Sequence, residues 1–292
     1  MVRLDNAITK YSCAGFVLKP DAPELLDTFL EIKSKFNSFG IEVKLAKKSA
    51  NMIGLNDGVE FEDMCKSCDF LVSLGGDGTL LSLVRRSYKF NKPVAGINAG
   101  NLGFLADVKI DEVDNFLEQL NSGECRIDER MMITATLINQ NGLKKSFYAF
   151  NDVVATRKTV SKMATIDAYI EDDIFNRYSG DGLIISTPTG STAYNLAAGG
   201  PVMYPLTKAF IMTPICPHSL TQRPLVMPAD FTIKIKTPKD KLLIVVDGQD
   251  DYELGCEDSL IIRGSKQNAR LLHRKERNYF SVLRDKLSWG NR

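Results

Sequence analysis

At 292 residues the chain is long enough for two domains, and its 44% hydrophobic and 25% charged content is ordinary for a soluble globular protein. Its 37 Lys and Arg nearly cancel its 36 Asp and Glu, leaving a net charge of +1, which argues against a broad nucleic-acid-binding face. No apolar run approaches the roughly 20 residues of a membrane helix, and the opening MVRLDNAITKYSCAG lacks the charged and apolar segments of a secretory leader. The expectation is a cytoplasmic protein with neither membrane nor nucleic acid as partner.

In chain order, residues 14–20 (AGFVLKP) read as a buried strand. Residues 23–40 set Leu25, Leu26, Phe29, Leu30 and Ile32 on a helical stripe, with Gly40 as its C-terminal cap. Residues 41–46 alternate like a strand. EFEDMCKSC (60–68) predicts a short helix with Cys65 and Cys68 on one face at i, i+3 spacing. These two form a CxxC, but His218 and His273 have no Cys close in sequence, so a second zinc-ligand pair is lacking. The six cysteines are read as mostly small buried apolar residues in a reducing compartment.

DFLVSL (69–74) is a continuous apolar run of the kind buried on both faces of a parallel sheet. Residues 79–90 are helical and PVAGIN (93–98) is another strand. Strands separated by helices imply a parallel sheet, with ligands bound at the carboxyl ends of its strands. A helix over roughly 110–121 precedes a change of style. From there to about 265 period-2 segments recur, among them MITATLI, TIDAYIE, FTIKIKT and LLIVVDG, with turn dipeptides such as Asn141-Gly142. The expected fold is α/β plus all-β. A Rossmann-like parallel α/β domain spans 1–120, and an antiparallel β-sandwich-like domain spans 121–274. The helical tail, about 275–292, packs back on the first domain.

Four stretches place chemistry-bearing residues between these elements. SLGGDGTL (73–80) sets Gly75, Gly76 and Gly78 around Asp77, between a strand and a helix. A glycine turn there lets backbone N–H groups approach a phosphate, and the helix N-terminus that follows favours negative charge. The plain alternative is a tight turn needing positive φ, with Asp77 as a helix cap. It accounts for one or two glycines and less well for three around an acid. The stretch is not a P-loop, since no GK[ST] follows, and it does not fit GxGxxG. GINAGNLGFLAD (96–107) follows the next strand, so two Gly/Asn-rich loops at neighbouring strand ends favour a binding crevice over a linker. FNDVV (150–154) puts Asn151 and Asp152 in an apolar strand, where they either bond ribose hydroxyls or an adenine edge or form a bulge. SGDGLIISTPTGSTAYNLAAGGP (179–201) reads as a long loop rich in Ser, Thr and Gly, a composition that is usually functional inside a compact domain.

With PICPHSLTQRPLV and DGQ added, these stretches stand in one order from residue 75 to 249 and resemble the NAD kinase family. GGDG alone would imply only the wider superfamily that includes diacylglycerol, sphingosine and 6-phosphofructokinases. The resemblance implies transfer of the γ-phosphoryl of ATP, or of inorganic polyphosphate in some members, to the 2′-hydroxyl of the adenosine ribose of NAD. It implies Asp77 as the catalytic acid/base, with Mg²⁺ or another divalent metal accompanying ATP. No protein ligand for that metal is assigned. Gly75, Gly76, Gly78 and Thr79 would form the phosphate loop. Asn151 and Asp152 match the pair that holds the adenosine of NAD, and Gly78 adjoins the substrate beside Asp77. Asp181 matches the aspartate near the nicotinamide end. Thr192, Ala193, Tyr194, Asn195, Leu196 and Ala197 match the loop that contacts the dinucleotide. Gln249 matches the glutamine of the DGQ turn, Lys162 a basic or imidazole contact, and Phe104 a residue that packs on the dinucleotide. The resemblance also implies a substrate crevice between the two domains and a homodimer or homotetramer.

The chain departs from the family pattern at Ala197, where many relatives carry Ser, and at Ser179, where some carry Arg. The second bears on NAD against NADH. Asn195 stands where relatives commonly have Asn or a small residue. Rival readings are a lipid or sugar kinase of the same superfamily and a catalytically silent NAD(P)-binding regulator. A Ser191/His218 hydrolase lacks both GxSxG and an oriented acid. His273, beside the basic run HRKER, is read as a solvated surface residue, and Trp289 and the tail aromatics as packing.

Overall fold

The computed structural model describes residues 11–100, 103–159 and 162–290. Residues 1–10, read above as lacking a leader, and Asn101 and Leu102 of the second glycine-rich loop lie outside the described residues. The described chain forms two compact units. One holds the residues up to Glu129 together with those from Ala269 onward, and the other is Arg130–Asn268.

The first unit is built on a mostly parallel sheet. Its strand order is Glu42–Leu45, Cys13–Leu18, Phe70–Gly75, Pro93–Asn98, Ala269–His273 and Arg126–Arg130, and Val108–Lys109 also pairs with Pro93–Asn98. Phe70–Gly75 is buried at every position, as its unbroken apolar run requires of a strand covered on both faces. Helix Leu26–Ser38 buries Phe29, Ile32 and Phe36. Phe36 packs edge-on against Phe16 with ring centroids 5.0 Å apart, and each buried Phe contributes about 2–3 kcal/mol of transfer free energy. Gly40 closes the helix at φ +76°, a conformation that favours glycine. The registers Leu18↔Leu74 and Gly75↔Asn98 bring three strand ends side by side. The loops that follow those ends are therefore neighbours. Because the two strands Arg126–Arg130 and Ala269–His273 complete this sheet, the unit's limits fall at 129/130 and 268/269, whereas the sequence put them at 120/121 and 274/275.

The second unit is a pair of antiparallel sheets, each six-stranded among the described residues. One runs Asp173–Gly180, Ala164–Ile170, Ile233–Lys236, Ser259–Gly264, Ile133–Ile138, Lys144–Ala149. The other runs Leu225–Pro228, Ala209–Ile215, Gly182–Ser186, Asp152–Arg157, Leu242–Val246, Asp250–Leu254. Ile133, Phe147, Ile166 and Leu260 of the first share one core with Val153, Leu183, Phe210 and Leu242 of the second. Alternating residues thus meet between two faces, the packing of a β-sandwich. Asn141-Gly142 makes the expected hairpin turn, with Gly142 at φ +75°.

Three expectations are corrected. Helix Phe61–Ser67 stops one residue before Cys68, which is extended (φ −92°, ψ 151°), so Cys65 and Cys68 do not share a helix face. Both are buried, and burial pushes their thiols up to about 11 and about 12, which makes them poor nucleophiles. Phe280 of the tail helix Tyr279–Leu287 and Trp289 beyond it are exposed, and it is Val282 and Leu283 of the helix that are buried. His273 is 1% exposed rather than solvated. Among the described residues no helix is long and apolar enough to cross a membrane.

Candidate active site

In the first unit, strand Phe70–Gly75 runs into helix Asp77–Ser87 with only Gly76 between them. Asp77 is therefore the first helical residue, half-buried, in the turn where the helix dipole favours a carboxylate. Its side chain accepts three consecutive backbone N–H groups of the neighbouring loop. Phe104 donates to Oδ2 at 2.7 Å, and Leu105 and Ala106 donate to Oδ1 at 3.1 and 2.9 Å. Asn98 braces the same loop, its Nδ2 donating to the Ala106 carbonyl at 3.4 Å and its Oδ1 accepting from Gly100 N–H at 2.8 Å. Gly103 has to be glycine, since a Cβ there would lie 1.8 Å from Asp77 Oδ1.

The glycines around Asp77 have different reasons. A Cβ on Gly75 would meet Thr79 Oγ1 at 2.5 Å and Lys19 Cβ at 2.9 Å, so the fold itself demands this glycine. Among the described residues no atom lies within 4 Å of such a Cβ on Gly76 or Gly78, and neither has a positive φ. Nothing in the described protein requires glycine at these two positions. No described side chain crowds the backbone on either side of the carboxylate. Thr79 is buried under the turn, its N–H donating to the Gly76 carbonyl at 3.1 Å.

The second unit carries a pocket of about 330 Å³ lined by Asn151, Asp152, Thr156, Ala193, Tyr194 and Asp247 among others. Its polar wall rests on the hairpin turn between Leu242–Val246 and Asp250–Leu254, where Asp247 and Gly248 both have positive φ (50° and 65°). The buried Asp247 carboxylate accepts N–H groups from Phe150, Asn151 and Asp152 at 2.7–2.8 Å. Asp152 is itself buried, and burial, followed by the Asp247 charge, pushes its carboxyl up to about 7. Behind it, Thr187 donates to the Phe150 carbonyl at 2.7 Å. Gly190 sits so close that a Cβ would lie 2.2 Å from the Asn151 carbonyl oxygen.

The other residues singled out in the sequence distribute as follows. Thr192 ends the 3₁₀ turn Thr189–Thr192, and Ala193 and Tyr194 face the pocket. In the short helix Tyr194–Ala197, Asn195 points inward. It donates to the carbonyls of Ser191 and Pro201 and accepts from Thr213 at 2.6 Å. Its amide is spent on holding this loop. Leu196 is half-buried and Ala197 exposed. Ser191 Oγ is engaged with the backbone of Met203, which leaves it no hydrolase role. Asp181 pairs with Arg157 at 3.2 Å, Ser179 accepts from His218 N–H through its carbonyl, and exposed Lys162 lies 3.9 Å from Asp240. Gln249 is exposed and closes the hairpin by donating to the Val246 carbonyl. Asp247 was not identified from sequence. Its signal was the Asp-Gly of VVDGQ, which announces a turn but not what the carboxylate does there.

Among the described residues no three His, Cys, Asp or Glu side chains converge as a metal cage. Of the roughly four acceptor sites of a carboxylate, Asp77 uses three on amides and keeps one, on Oδ2. Mg²⁺ is commonly held by one or two carboxylates plus substrate phosphates and water. The donor set therefore fits a metal carried on a nucleotide.

The family model for the ATP-NAD kinase N-terminal domain matches residues 14–125, and that for the ATP-NAD kinase C-terminal domain matches residues 150–274. The chain is 50% identical over 287 residues to the NAD kinase of Sulfurimonas denitrificans, covering 98% of this chain and all of the relative. It is 49% identical over 289 residues to that of Wolinella succinogenes, covering 99% of each. Among solved structures it is similar to yeast NADH kinase complexed with NADH. The TM-score is 0.89 at 25% identity, over 100% of this chain and 94% of the other. An NAD kinase from Archaeoglobus fulgidus in complex with ATP shares the fold, with a TM-score of 0.76 at 23% identity over 95% of this chain.

Proposed function

The chain belongs to the NAD kinase family, and from that premise we propose that it transfers the γ-phosphoryl group of ATP to the 2′-hydroxyl of the adenosine ribose of NAD. The observation that carries the assignment of Asp77 is the pair of unneeded glycines. Gly76 and Gly78 leave room for phosphates against bare backbone, on either side of a carboxylate fixed by three amides. A helix N-terminus stabilises anionic oxygens there.

In this reading the 2′-hydroxyl gives its proton to the free lone pair of Asp77 Oδ2. The ribose oxygen bonds to the γ-phosphorus while the bond from that phosphorus to the β-bridging oxygen breaks, and ADP leaves with the bridging electrons. Such transfers need mainly positioning and charge stabilisation. The amides of Phe104, Leu105 and Ala106 supply the positioning, because they fix the direction of the carboxylate. A divalent metal carried on the nucleotide would neutralise phosphate charge. The pocket beside Asn151 and Asp152 is sized for one nucleoside rather than a whole dinucleotide, which suits the adenosine end of NAD. A carboxyl that titrates near neutrality there either donates to or accepts from a ribose hydroxyl. The expected setting is a cytoplasmic homodimer or homotetramer.

The test is NADP formation from purified protein with NAD, ATP and Mg²⁺, with parallel reactions on NADH and with polyphosphate as donor. Product from NAD and ATP is expected. Bound NAD with no product would replace this reading with a catalytically silent dinucleotide binder.

A further inference from the structure

We propose that Arg277, in the tail of the chain, is a positioning residue for Asp77. The loop-holding part stands on geometry alone, and its effect on turnover rests on the catalytic role given to Asp77 above. The link is a single peptide group. The Phe104–Leu105 peptide gives its N–H to Asp77 Oδ1 at 3.1 Å and receives Arg277 Nη2 on its carbonyl oxygen at 2.5 Å. A flip of that peptide would break both bonds at once. Hydrogen bonds at the two ends of one amide also polarise each other, so the cation strengthens the donor aimed at Asp77.

Arg277 is itself anchored. It is buried, with Nε 3.3 Å from Asp107 Oδ2 and Nη1 2.7 Å from His273 Nδ1. His273 Nδ1 lies 3.1 Å from the same Asp107 oxygen, and its Nε2 lies 3.6 Å from Asp128. Asp107 directly follows Ala106, so the anchor grips the loop at its other end. Burial alone would raise the Asp107 carboxyl, but His273, Arg277 and Arg274 outweigh it and hold the group below its usual range. Asp107 is therefore a buried anion that requires a cation beside it. The guanidinium hydrogen-bonds the Phe104 carbonyl and His273 and faces Asp107 as an ion pair, an arrangement the point charge of a lysine does not reproduce. The cluster joins residues 104–107 to residues 273–277. Its position one peptide from Asp77 gives it a use.

The experiment compares wild type, Arg277→Met and Arg277→Lys by native-state hydrogen exchange of the Phe104–Ala106 amides and by steady-state kinetics. Arg277→Met is expected to speed exchange of those amides about tenfold or more. It is also expected to lower kcat roughly ten- to a hundredfold while KM for NAD and ATP stays within about twofold, because the base is misaimed and binding is intact. Arg277→Lys, which keeps the buried charge but not the fork, should fall between the two. It decides the matter if Arg277→Met does not fold. Unchanged exchange at 104–106, or a lowered Tm with kcat unaltered, would overturn the proposal and make Arg277 a structural tie. If the wild type makes no NADP the functional reading fails, and the exchange measurement still shows whether Arg277 holds the loop.

Discussion

The two units each contain an aspartate that accepts three consecutive backbone N–H groups, and the two are put to opposite uses. Asp77 takes the amides of 104–106, and Asp247 those of 150–152. Asp77 opens a helix, half-exposed, between two glycines that face open space. Asp247 occupies a strained hairpin turn, buried, with its charge turned on a second buried carboxylate, Asp152. In the function proposed above, the same hydrogen-bond device aims a reactive group in one unit and shapes a binding wall in the other. The environment of the carboxylate decides the role, and the count of its bonds does not.

If that contrast holds, damage to Asp247 should be felt first as lost stability. Asp247→Ala strands three buried N–H donors, and a cost of about 3–5 kcal/mol is expected in denaturant unfolding. A cost below about 1 kcal/mol would mean that water replaces the carboxylate and that the turn is not what shapes the wall.

Asp152 sharpens the electrostatic half of the comparison. Its carboxyl titrates near 7 in the folded protein against the ordinary 3.8. Between those values the unfolded chain has lost a proton that the native state keeps, so this group makes stability fall as pH rises from about 4 to about 7. Asp152→Asn removes that slope. Its Tm relative to wild type should rise by several degrees from pH 4 to pH 8, an effect on the order of 2–4 kcal/mol. Parallel Tm–pH curves for the two proteins would contradict the buried-pair account.

The glycines of the first unit provide the smallest structural and clearest functional contrast. Gly103→Ala forces a methyl into the Asp77 carboxylate and should lower kcat about a hundredfold through misplacement of the base. Gly76→Ala meets no atom of the described residues, so stability should change by less than about 1 kcal/mol. Its methyl lies where phosphate is expected, and KM for ATP should rise. A Gly76→Ala enzyme with unaltered ATP kinetics would mean that the open space beside Asp77 is not the phosphate site.

Much of this was legible in the residues. Apolar runs leading into glycine-rich loops marked Phe70–Gly75 and Pro93–Asn98, and period-2 patterns marked the strands of the sandwich, because each of these signals is local. The hidden features all depend on partners far along the chain. Asp247 serves amides 95–97 residues away. His273 looked like part of a basic surface run until Asp107 and Asp128 proved to surround it. Asn195 looked like a ligand contact because a four-residue helix is too short to show which face it buries. Cys68 fell outside its predicted helix because the chain turns extended there to enter the next strand.

The most direct test of the contrast is Asp77→Asn, with NADP turnover and calorimetric NAD binding measured on the same preparation. The account predicts NAD affinity close to wild type and a Tm lowered by a few degrees, since an asparagine amide leaves at least one of the three N–H donors unserved, with turnover lowered about a thousandfold, as for loss of a general base. Turnover within a few-fold of wild type would remove Asp77 from the chemistry and leave it, like Asp247, a part of the architecture.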